Sequence, residues 1–128
     1  MCLDVKNRVV KKVRVGYKVM YPTFDGLYQG QYYHAPGCSK YDVGCEYSSS
    51  EGKILYGQNW ETFRSLYYPA GFHVYTKLPR TGSYSFGRVV KVKVREIVAS
   101  GTQQGKQVVV ARKMTILGEV DEKGRLLK

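Results

Sequence analysis

The chain has 128 residues, with 21 Lys and Arg against 10 Asp and Glu, and three cysteines. That length fits one domain (1–128) with a single modest core, and 43% hydrophobic with 24% charged residues excludes a disordered or fibrous chain. The longest aliphatic stretch, such as Val108-Val109-Val110-Ala111, is far too short for a membrane span, and Met1-Cys2-Leu3-Asp4 lacks the apolar region of a secretory signal.

In chain order, Val13-Arg14-Val15-Gly16-Tyr17-Lys18-Val19 alternates with period two. A strand follows, with Val13, Val15, Tyr17 and Val19 expected inward and Arg14 and Lys18 outward. Lys53-Ile54-Leu55-Tyr56 reads as a short strand. Asn59 is placed to cap a brief helix carrying Trp60, Phe63, Leu66 and Tyr67 at three- and four-residue spacing. After a turn at Pro69, Gly71-Phe72-His73-Val74-Tyr75-Thr76 reads as a buried strand. Residues 88–98 alternate again, so Val90, Val92 and Val94 face inward if Lys91, Lys93 and Arg95 face water. A polar loop over residues 100–105 then leads to the β-branched run 107–117, which predicts an antiparallel hairpin. Residues 121–128 read as a turn and a frayed end. The expected fold is mainly β (α+β): a single curved antiparallel sheet or small barrel with one or two short helices.

The charge is not evenly spread. Residues 1–18 carry a net +5, residues 19–87 are neutral, residues 88–117 carry +6, and the tail is neutral. Ten of the twelve tyrosines lie within the neutral middle between Tyr28 and Tyr84. Two basic β segments therefore flank an aromatic centre. Lys12, Arg14, Lys18, Arg88, Lys91, Lys93, Arg95, Lys106, Arg112 and Lys113 are the candidate contacts to an anionic partner. Lysine and arginine on strands neutralise phosphates, and a two-stranded ribbon fits a major groove. Tyrosines offer stacking platforms for single strands. The same cations suit an acidic protein surface, and lysine on an exposed strand also discourages edge-to-edge pairing.

Catalytic and metal signals are sparse. His34, Cys38 and Cys45 lie within twelve residues, with Cys2 or His73 as a fourth ligand, but neither Cys-x2-Cys nor His-x3-5-His occurs. Cys38 and Cys45 then read as small loop residues beside Gly37 and Gly44, and the odd cysteine count with no signal suits a reducing, cytoplasmic compartment. No Gly-x-Ser-x-Gly elbow and no phosphate-binding glycine loop is present, so no cofactor is expected. His73 is the one catalytic candidate, set against the commoner outcome of a hydrogen-bonded structural histidine.

Met1-Cys2-Leu3, Tyr17-Lys18-Val19, Gly71-Phe72-His73-Val74-Tyr75 and Val89-Val90-Lys91-Val92 fall in an order that resembles a family of small uncharacterised proteins of bacteriophages, large viruses and bacteria. The resemblance implies a viral or phage source and an accessory role such as inhibition of a host defence system; it implies no activity. Where that family places an acidic, alanine-containing helix start, Pro79-Arg80-Thr81-Gly82-Ser83 stands here. The leading expectation is a non-enzymatic accessory protein, in the cytoplasm of an infected host cell or associated with the virion, that engages nucleic acid or an acidic host protein. An enzyme with an ADP-ribosyltransferase-like or nucleotide-binding fold using His73, with Glu119 as a lone acid, and a minor virion protein are the alternatives.

Overall fold

The computed structural model describes residues 5–7, 12–24, 26–29, 40–49, 53–59, 64–69, 71–79, 87–103 and 105–127. It is mainly β. Ten strands occur there: β1 (Val5–Asn7), β2 (Val15–Pro22), β3 (Tyr28–Gln29), β4 (Lys40–Tyr41), β5 (Glu46–Ser48), β6 (Lys53–Asn59), β7 (Arg64–Pro69), β8 (Phe72–Tyr75), β9 (Arg88–Gln103) and β10 (Lys106–Glu119). No helix lies among the described residues, and so none long and apolar enough to cross a membrane. The predicted helix is corrected: Asn59 ends β6, and Leu66 and Tyr67 lie on β7, its antiparallel partner. Trp60 and Phe63 fall outside the described residues. Leucine and tyrosine at short spacing satisfy a strand as readily as one helical turn, and pairing decides between them.

The scaffold is the β9–β10 hairpin, whose strands run 16 and 14 residues. The expected loop over residues 100–105 is corrected too, because β9 continues to Gln103, which pairs with Lys106 of β10. Gly105 carries φ +76°, which a tight turn needs and which glycine adopts without a steric penalty. Partway along, the alternation slips on both strands. Val94 and Ile97 on β9, and Met114 and Ala111 on β10, all reach the same core although three residues apart. Glu96, with φ +59°, sits at this irregularity.

The hairpin closes a ring. β10 pairs with β8 through residues 108–111, β8 meets β2 at Tyr17 and Tyr75, and β2 returns to β9 over residues 15–20. The cycle β9–β10–β8–β2 is thus a small antiparallel barrel, extended by β1 on β9, β5 on β10 and β3–β4 on β2. Its interior holds Met20, Phe72, Val74, Val90, Val92, Val94, Val109, Met114 and Ile116, packed with Tyr41. Tyr41 meets Phe72 edge-on at 5.8 Å between ring centres. A second cluster, Tyr75, Ala99, Val108 and Val110, covers the other face of the same strands.

The closure depends on Gly16. A Cβ there would lie 2.3 Å from Val74 Cγ1 and 2.6 Å from the Tyr75 carbonyl oxygen. Gly16→Val should therefore force β2 from β8 and cost about 3 kcal/mol, the upper range of overpacking. Val15→Ala, one residue away at a 39% exposed position, should stay within about 0.5 kcal/mol. Urea unfolding of the two variants separates these outcomes.

Candidate polyanion-binding face

Before the slip at Glu96 the barrel turns Val90, Val92 and Val94 inward, so Lys91, Lys93 and Arg95 stand outward as the alternation requires. Register then builds rows across the strands. Val15 of β2, Lys93 of β9 and Thr115 of β10 lie side by side, continued by Glu46 of β5. The next row pairs Arg95 directly with Lys113, continued by Ser48, and the row on the other side pairs Tyr17 with Lys91.

Glu46 is the organising acid of this face. Its carboxylate accepts from Arg95 Nε at 2.8 Å and Nη2 at 2.6 Å, a bidentate pair that fixes the guanidinium plane. The hydrogen bond from Arg95 and then the charges of Arg95, Lys113 and Lys93 hold the Glu46 carboxyl below its ordinary range. Lys113 also stands 3.9 Å from Glu96, an exposed pair of little energetic weight. Lys12 and Arg14 are exposed just before β2, where the Arg14 carbonyl accepts from the Val94 amide.

The remaining predicted cations lie elsewhere. Arg88 begins β9 opposite Met20 and lies near the Tyr28 hydroxyl, which donates to Glu119 Oε1 at 2.8 Å. Burial first, then Glu119, pushes that hydroxyl up to about 12. Glu119 is therefore held by a tyrosine from β3. Arg112 sits half-buried beside the irregularity, and Lys106 lies at the hairpin turn with its ammonium 5.7 Å from the Tyr75 ring centre.

Lys18 is corrected outright. It is 5% exposed and points into the barrel with Gly16 and Met20, while Val15, Tyr17 and Val19 face the other way. Period two identifies which residues share a face, not which face is inside. Here close β2–β8 packing demands glycine inward, and the neighbouring inward lysine buries its stem while its Nζ donates to the His73 carbonyl at 2.9 Å. That bond crosses the seam where β2 and β8 share the single residue pair.

His73 is 0% exposed on β8, opposite Val110, and so lacks the solvent-facing cleft that its catalytic role requires. Cys45 is exposed, His34, Cys38 and Cys2 lie outside the described residues, and no group of three metal-binding side chains occurs among the described ones. Sequence reading missed Glu46, because only the non-local pairing of β5 with β10 carries it to Arg95. It also missed a cleft of about 700 Å³ lined by Pro22, Thr23, Phe24, Gln29 and Lys40.

Fold and face together describe a small closed antiparallel barrel with one cationic outer surface. The chain matches no family model, no curated protein and no solved structure.

Burial lowers the Lys18 ammonium from 10.5 to about 8. Between these values the folded chain has lost a proton that the unfolded chain keeps, so stability rises with pH across about 8 to 10.5, by about 3 kcal/mol in all. Lys18→Met should remove that rise, leaving the denaturation midpoint flatter with pH than in the wild type.

Proposed function

We propose that this protein is a non-enzymatic binding protein whose outer β9–β10–β2 face engages nucleic acid. The observation that carries this reading is the cluster of Lys93, Arg95 and Lys113 around Glu46, with Lys91 in the row beside it. Like charges directly opposite in an antiparallel ladder destabilise the sheet, yet Arg95 faces Lys113. Glu46 on Arg95 and Glu96 near Lys113 offset part of that repulsion, and an external polyanion would offset the rest. Along β9 the cations recur every second residue, about 6.6 Å apart, a regular spacing suited to a chain of phosphates. The resemblance in the opening, Tyr-Lys-Val and Gly-Phe-His segments supports a phage or viral accessory role for that binding, in the cytoplasm of an infected cell.

Lys91, Lys93 and Arg95 changed together to glutamate should abolish an electrophoretic shift with nucleic acid; an unchanged shift would overturn the proposal. For the wild type, log K should fall with log salt at a slope of about −0.9 for each phosphate neutralised on duplex DNA. Glu46→Gln releases Arg95 and removes the central negative charge. It should tighten binding and steepen that salt slope, as read by fluorescence anisotropy across a salt series.

A further inference from the structure

We infer that the bound nucleic acid is single-stranded, and that one of its bases stacks on Phe24 in the cleft at the far end of β2. This rests on the reading of the basic face as a nucleic-acid surface and names the strand state that face would take.

Phe24 stands at the tip of the turn joining β2 to β3, closed by the Thr23 amide–Leu27 carbonyl pair and by Thr23 Oγ1 on that same carbonyl, 3.0 Å away. Its relative exposure is 113%, more than an extended chain gives, so none of its ring is used by the core. Gln29 and Lys40, which are adjacent across the β3–β4 ladder, line the same cleft. An aromatic face, a side chain that both donates and accepts, and a cation in one open cleft are the groups that hold an unstacked nucleotide: ring to base, amide to base edge, ammonium to phosphate.

Register connects this cleft to the basic face. Val15 and Tyr17 lie beside Lys93 and Lys91, and two strand positions beyond Val19 on the same face Tyr21 lies beside Gln29, itself beside Lys40. The outward residues of β2 thus lead from the lysine row to the cleft over about 23 Å. A single strand laid along this path meets cations first and the aromatic ring last. A duplex keeps its bases stacked inside and has none to place on Phe24.

The test uses the full chain and anisotropy of a labelled oligothymidylate of about ten nucleotides, alongside a duplex of equal length. Phe24→Ala should weaken single-strand binding by roughly tenfold and leave duplex binding within about twofold, with Phe24→Trp restoring the loss. Phe24 lies outside the core, so unchanged thermal unfolding certifies the fold of each variant. Equal single-strand affinity for Phe24→Ala and wild type overturns the inference. If Lys91→Glu with Lys93→Glu still abolishes binding in that case, the basic face stands and only the cleft falls. Wild type that binds neither oligonucleotide at low salt removes both. Equal competition by polyglutamate of matched charge assigns the face to acidic proteins and overturns the single-strand assignment.

Discussion

The seam between β2 and β8 is the constraint from which the rest follows. In this four-strand ring β2 approaches β8 with almost nothing between, and Gly16 supplies that approach beneath Val74 and Tyr75. The ladder at the seam is the single pair Tyr17 and Tyr75, so closure depends on packing and on the Lys18 ammonium reaching the His73 carbonyl. Burying a cation on a neutral acceptor is costly, and the lowered Lys18 pKa is the expression of that cost. The lysine stem fills the interior above Gly16, and its head ties the two strands together.

Closing the ring also decides where the charge goes. Once Val90, Val92 and Val94 line the interior, Lys91, Lys93 and Arg95 have no choice but to stand outside together. The slip at Glu96 and Arg112 lets the same hairpin supply side chains to the interior cluster and, farther on, to the cluster of Tyr75, Ala99, Val108 and Val110. Cations before and after the slip consequently part company. Lys91 to Arg95 gather with Lys113, while Lys106 is carried to the hairpin turn.

Much of this was legible in residues 88–117, because alternation of valine with lysine over a long run leaves one apolar face to bury. The same logic failed on β2, where Val15, Tyr17 and Val19 look like the inward set and Gly16, Lys18 and Met20 are the buried one. Apolar content could not anticipate that close approach outranks hydrophobicity at that strand, since the demand comes from β8, more than fifty residues away. The turn at Gly105 was misjudged for a related reason. Ser100, Gly101 and Thr102 look loop-like, yet β1 pairs with them from the N-terminus and holds them in the sheet. Glu46 and the Phe24 cleft were invisible because each is assembled by pairing between segments distant in sequence.

The outward face of β2 acquires a different meaning from its inversion. Had Val15, Tyr17 and Val19 gone inside, Lys18 would have joined the basic row and β2 would have been one more cationic strand. Instead the strand presents a valine beside Lys93 and a tyrosine beside Lys91, so apolar and charged groups run in parallel along one surface. Tyr17 is only half free for such a role, because its hydroxyl lies close under Gly124, part of the turn that Asp121 ties through its bonds to Lys123 and Arg125. That turn covers one end of the tyrosine, leaving Phe24 at the far end as the aromatic among the described residues with its whole ring in solvent. The inverted strand therefore moves aromatic contact away from the lysine row to the turn beyond it, and it places cation and ring in series along one path.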